Sequence, residues 1–130
     1  MTSSLTSSPG ATILIVDDNA LLLQSLSLLF SRHNYNVLTA KNGSDAIGVA
    51  RSQLPDLILL DINMPNMDGF EVCEALHVDP ETAHIPTIFL TARMDTSNVV
   101  RGFNLGADDY VVKPFDSGHL LARVQRQLAS

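Results

Sequence analysis

The residues whose types could do chemistry are Asp17, Asp18, Asp61, Thr91 and Lys113. Each comes at the end of a short apolar run of the kind that forms a buried strand. An unpaired carboxylate in such a place is costly, so these acids need partners. Three carboxylates converging at one sheet edge repel each other and stay ionised only if a cation joins them. Hard oxygen donors, few in number and with room for water, suit Mg²⁺ or Mn²⁺ better than zinc. Lys113 adds a fixed positive charge and Thr91 adds a hydroxyl donor. Together they suit a group carrying several anionic oxygens, and a phosphoryl group fits. Phosphoryl transfer asks for little beyond positioning and charge neutralisation. An ionised aspartate can itself be the acceptor, giving an acyl phosphate.

The elements that must position these residues are legible in order. Ile13-Leu14-Ile15-Val16 reads as a strand buried on both faces and stops at Asp17 and Asp18. Asn19 caps a helix to about Arg32, with Leu22, Leu26, Leu29 and Phe30 on one face. Val37 to Ala40 is a short strand. Asn42-Gly43 signals a turn, Ser44 is a plausible N-cap, and Ile47, Ala50 and Leu54 form the inner stripe of a helix that Pro55 ends. Leu57 to Leu60 is a strand ending on Asp61. Asp68 or Asn66 caps a helix with Phe70, Cys73 and Leu76 inward. Thr87 to Leu90 ends on Thr91. A helix through Val99, Val100 and Phe103 stops at Gly106. Asp109 to Val112 ends on Lys113-Pro114. Asp116 or Ser117 caps a last helix with Leu121, Val124 and Leu128 inward; His119 stands where a capping box would have Glu.

This alternation of five strands with five helices predicts an α/β fold, a doubly wound parallel sheet with helices on both faces. Ligands of such sheets sit beyond the carboxyl ends of the strands. The residues just past each strand are therefore the functional candidates.

Bulk properties narrow the class. A chain of 130 residues, 45% hydrophobic and 17% charged, suits one compact soluble domain. A formal charge of −6 disfavours nucleic-acid binding by this domain. The single cysteine, Cys73, reads as core filler; without a second, no intrachain disulfide forms, and the chain fits a reducing, cytoplasmic setting. No apolar run approaches the ~20 residues of a membrane span. Residues 1–11, rich in Ser and Thr, read as a disordered leader, and residues 12–130 as the functional domain. His33, His77, His84 and His119 share no metal-ligand spacing and read as surface residues. Met64 and Met67 read as loop packing.

The chain resembles the receiver domain of two-component response regulators. The matching pieces are Ile15-Val16-Asp17-Asp18, the stretch from Leu60 to Gly69, Leu90-Thr91-Ala92, and the stretch from Gly106 to Phe115. The resemblance implies a flavodoxin-like sheet of strand order 2-1-3-4-5. It implies Asp61 as phosphoryl acceptor, and Mg²⁺ held by Asp18 directly, Asp17 largely through water, Asp61, and the backbone carbonyl of Asn63. Lys113 would pair with the phosphoryl oxygens, with Pro114 in cis after it. Thr91 would swing its hydroxyl onto the phosphoryl group, and Tyr110 would turn inward. That changes the face of the fourth helix, fifth strand and fifth helix, by which a downstream effector or a second copy would bind. A histidine kinase or histidine phosphotransfer protein would be the donor. Asn63 and Arg93 occupy the two positions that tune such sites.

Plainer readings stand beside these. Asp17 and Asp18 taken alone suit a helix N-terminus, and Lys113 taken alone suits a solvated surface. Asp108 and Asp109 read as structural, with Asp109 pairing to Arg123. A Mg²⁺-dependent phosphohydrolase is the competing activity. It usually carries a second acid two residues past its nucleophile, where this chain has Asn63, and no cap domain is visible. A receiver-like module that binds without phosphorylation is the third reading.

Overall fold

The computed structural model describes residues 10–92 and 96–129. Ten elements alternate: β1 (Thr12–Val16), α1 (Ala20–Arg32), β2 (Asn36–Ala40), α2 (Gly43–Gln53), β3 (Leu57–Asp61), α3 (Gly69–Val78), β4 (Thr87–Thr91), α4 (Thr96–Asn104), β5 (Asp109–Val112) and α5 (Ser117–Ala129). All strand pairs are parallel and the sheet order is β2-β1-β3-β4-β5. The leader reading of residues 1–9 lies outside the described residues. Gly10 and Ala11 were read as leader too, but they are tied down. Gly10 donates its N–H to Asn34 at 2.9 Å, and the Ala11 carbonyl accepts from Asn36 at 2.9 Å.

Strand side chains alternate between two cores, as a pleated strand requires. Leu14, Val16, Ile58, Leu60 and Phe89 face α2, α3 and α4. Ile13, Ile15, Leu57, Leu59, Ile88 and Leu90 face α1 and α5. Burial on both faces explains why these strands read as unbroken apolar runs rather than alternating ones.

Helix boundaries differ from the sequence reading in instructive ways. In α1 the buried stripe is Leu23, Leu26 and Phe30; Leu22 and Leu29 flank it and are partly buried. Helix α2 is capped by Asn42, not Ser44: the Asn42 side chain accepts from the Asp45 N–H at 2.8 Å. Leu54 is not part of the inner stripe. It takes a left-handed C-cap conformation (φ 48°) and is half exposed. Its N–H still closes the last turn onto Ala50. Asp68 caps α3 in a full capping box, exchanging hydrogen bonds with Glu71 at 2.9 and 3.1 Å. The Asp-x-x-Glu spacing carried that signal. In α5 the fully buried residues are Leu120 and Val124, with Leu121 and Leu128 partly buried. Asp116 is the cap, accepting from the His119 N–H at 3.0 Å.

Candidate functional site

Strand register brings the candidates level. Val16 lies opposite Leu60, Asp61 opposite Leu90, and Thr91 opposite Val112. The carboxyl ends of β1, β3, β4 and β5 therefore finish in one line, and Asp17, Asp61, Thr91 and Lys113 come together there. The Lys113 N–H donates to the Thr91 carbonyl at 2.7 Å, so the lysine leaves the sheet at a fixed height. The Lys113–Pro114 bond is cis.

Asp17 is 1% exposed and Asp61 4% exposed, whereas Asp18 is open to solvent. Burial of two acids side by side demands compensation. Lys113 supplies part of it: its ammonium donates to Asp17 Oδ2 at 2.7 Å and lies 3.5 Å from Asp61 Oδ1. Backbone donors supply more. The Asn19 N–H reaches Asp17 Oδ1 at 2.9 Å, and the Asn63 N–H reaches Asp61 Oδ1 at 3.2 Å. Asn19 also caps α1, accepting from Leu21 and Leu22.

The remaining imbalance shows in the titration of Asp61. Burial, and then the charge of Asp17, push its carboxyl up to about 6, against the pull of Lys113 and the Asn63 N–H. Lys113 moves the other way. Burial alone would lower its ammonium, but the hydrogen bond to Asp17 and the charges of Asp61 and Asp17 outweigh it and hold the group above its usual range.

One carboxylate oxygen each from Asp17, Asp18 and Asp61 lies within 4.8 Å of the others. Three acids against one lysine leave room for a divalent cation, and an all-oxygen donor set with one exposed member suits a hard, partly hydrated ion.

Gly69 closes the loop beneath Asp61. Its N–H donates to the Ile62 carbonyl at 2.8 Å, and a Cβ there would come within 2.5 Å of the Asp61 carbonyl oxygen. Only glycine lets α3 begin so close to the end of β3. The close approach is visible only in the fold.

Thr91 is 1% exposed at the end of β4. Tyr110 lies inward in this structure, 4% exposed. Its ring sits 5.4 Å from that of Phe89 and 5.2 Å from that of Phe103, and its hydroxyl donates to the Val99 carbonyl at 3.1 Å. Phe89 in turn packs edge-on to Phe70 at 5.4 Å, and Arg101 covers Phe70 at 4.4 Å. An aromatic row thus runs from the start of α3 to the α4 surface. The reading of Arg93 as a tuning residue lies outside the described residues. Asn63 contributes its backbone to the site while its side chain is exposed.

Other candidates fall away from this edge. Asp109 pairs with Arg123 through both oxygens at 2.9 Å. Cys73 is buried, its thiol pushed up to about 11 by burial and by Asp108, and it donates to the Leu105 carbonyl. The four histidines are all exposed. Among the described residues, no helix is long and apolar enough to cross a membrane.

The chain is similar to several known proteins. The response regulator PleD of Caulobacter vibrioides is 43% identical over 116 residues, which is 89% of this chain and 26% of PleD. The DNA-binding response regulator MtrA of Mycobacterium tuberculosis is 40% identical over 89% of this chain and 50% of its own length. The chain thus spans half or less of the length of these curated relatives. Among solved structures, chemotaxis protein CheY4 of Vibrio cholerae superposes with a TM-score of 0.87 at 33% identity, covering 90% of this chain and 98% of that one. The receiver domain of sensor histidine kinase PA1611 from Pseudomonas aeruginosa superposes at 0.86 with 28% identity, covering 93% and 99%, and carries a magnesium ion in its active-site cleft. The model of the response regulator receiver domain family matches residues 13–125, and the chain is a member of that family.

Proposed function

We propose that Asp61 is the phosphoryl acceptor of a signalling switch. What supports this reading is the level carboxyl edge of the sheet, where two buried acids, one exposed acid and Lys113 surround the Asp61 carboxylate. A phosphohistidine on a histidine kinase or phosphotransfer protein is the donor. Its N–P bond breaks as a bond forms between phosphorus and an Asp61 oxygen, and the departing imidazole keeps the electron pair and takes up a proton from water. Asp17, Asp18, Asp61 and the Asn63 carbonyl are the groups that would hold Mg²⁺, or Mn²⁺. When bound, the ion neutralises charge on the phosphoryl oxygens.

Lys113 moves from Asp17 toward the new phosphoryl oxygens, and the Thr91 hydroxyl donates to one of them. Tyr110 then holds its inward place, and the α4-β5-α5 face takes the form that an effector or a second copy recognises. The chain does not turn over an external substrate in this reading. It works in the cytoplasm, and this domain itself binds neither membrane nor nucleic acid.

The test is covalent phosphate after incubation with Mg²⁺ and acetyl phosphate, read by intact mass. The parent gains one phosphoryl group and Asp61→Asn gains none. Equal incorporation by both proteins overturns the assignment.

A further inference from the structure

The inward place of Tyr110 exists because residue 102 has no side chain. Gly102 is buried in the last turn of α4, a helical position where glycine costs stability relative to alanine. A methyl group built there would overlap the Tyr110 hydroxyl outright. It would also come within 2.7 Å of Tyr110 Cζ and 2.9 Å of Phe89 Cε2. The ring is rigid and is held on its other sides by Phe89 and Phe103. A methyl at 102 would press on Phe89 as well as on the tyrosine, so the two rings must shift together if Tyr110 is to stay inward. Its alternative lies on the β5–α5 side, where Tyr110 already borders an open groove of about 270 Å³ together with Phe115, His119 and Arg123.

We infer that Gly102 is a positioning residue for the switch: the missing side chain on α4 is the socket for the Tyr110 hydroxyl, and any larger residue there drives the ring outward. This rests on the proposed coupling of Asp61 phosphorylation to Tyr110. It adds that the readout depends on a position which touches neither Asp61 nor Lys113. A chain with alanine at 102 takes up phosphate normally and fails to report it.

The experiment places Tyr110 by NMR in the full chain, parent and Gly102→Ala, using ring contacts to Phe89 and Phe115. It runs each protein with and without Mg²⁺ and acetyl phosphate, and phosphate uptake is read separately by mass. In the parent the Tyr110 ring contacts Phe89. In Gly102→Ala the inward population falls below about one-tenth, because keeping Tyr110 inward means shifting both rings together in a packed core. Contacts to Phe115 replace those to Phe89, while the uptake rate stays within about twofold, since no group at the acid edge has moved.

Tyr110 remaining on Phe89 in Gly102→Ala overturns the socket. A parent that takes up no phosphate overturns the switch on which the socket's signalling role depends, whereas the ring contacts still judge the packing. The double variant Gly102→Ala/Tyr110→Leu covers a folding defect. If the single variant unfolds and the double variant folds, the overlap with Tyr110 is the cause and the socket stands. If both unfold, residue 102 serves some other contact and the inference fails.

Discussion

Two pairs of aspartates stand at opposite ends of the same sheet. At the amino ends, Asp56 accepts the N–H of Thr12, the first residue of β1, at 2.7 Å. Asp108 accepts that of Thr87, the first residue of β4, at 2.9 Å. Both are exposed, and each satisfies a strand-start donor that has no ladder partner. At the carboxyl ends, Asp17 and Asp61 are buried, crowd each other, and share one lysine. Each acid of the first pair faces solvent and a backbone donor. The second is held with unspent negative charge, which is the condition a cation and a phosphoryl group can relieve. Residue type does not separate the pairs; burial and the number of acids per cation do.

The comparison predicts that chemistry depends on one end only. The largest effect is expected from Asp61→Asn, which keeps size and hydrogen bonding but removes the nucleophilic charge. Phosphate incorporation falls at least about 100-fold on the scale of losing a covalent acceptor. Asp108→Asn is the control and keeps parental incorporation, because its carboxylate accepts the Thr87 N–H at the far end of the sheet from Asp61. Phosphate loss in Asp108→Asn would show that the two ends are not separable.

Lys113→Met is next. It leaves Asp17 and Asp61 buried without their cation, and breaking a buried pair from one side costs about 3–5 kcal/mol. A lysine side chain that is 24% exposed reduces this to roughly 2–3 kcal/mol at pH 7, read by urea unfolding. Added Mg²⁺ recovers part of the loss, since a second cation takes over the lysine's neutralising role. A variant as stable as the parent would mean that water already screens the acids.

The pH dependence follows from the raised Asp61 carboxyl. The folded chain holds this proton up to about 6, whereas the ordinary value is 3.8. Between these values the folded state binds more protons than the unfolded state, so the contribution of Asp61 falls as pH rises. It is most favourable below about pH 4 and lost above about pH 6, with a total near 2–3 kcal/mol by linkage. The difference in unfolding free energy between Asp61→Asn and the parent should widen across this window in the variant's favour. A difference that is flat with pH would mean the acid titrates normally. Mg²⁺ should narrow it at pH 7.

Much of this site was readable before any fold was known. Apolar runs that stop on Asp17, Asp61, Thr91 and Lys113 are conspicuous because buried strands rarely end on charge without cause. The parallel alternation then places all four at one edge. Less legible were features that depend on what faces what. Gly69 and Gly102 look like ordinary helix-end and helix-interior glycines; only a neighbour's carbonyl or hydroxyl gives them meaning. Leu54 fits a helical stripe by spacing, but α2 ends on it in a left-handed C-cap just before Pro55, and it is half exposed. In α1 and α5 the expected Leu26, Phe30 and Val124 are buried, but Leu23 and Leu120 take the innermost places over their neighbours Leu22 and Leu121, because adjacent leucines satisfy the period almost equally and packing against the sheet decides between them.

The smallest effect expected is the sharpest check on the comparison. Asp56→Ala removes an acceptor for the Thr12 N–H, which lies at the exposed start of β1. Water can replace much of that bond, so the cost is about 0.5–1.5 kcal/mol, the net worth of one hydrogen bond. Because Asp56 sits at the other end of the sheet from Asp61, the loss should not depend on Mg²⁺ or alter the widening of the Asp61→Asn difference between pH 4 and 6. Additivity in the double variant Asp56→Ala/Asp61→Asn, within about 0.5 kcal/mol, is the expected result for sites without shared partners. A larger coupling would mean that β1 and β3 transmit strain along their length, and that the amino-end acids help set the register on which the acid edge around Asp61 depends.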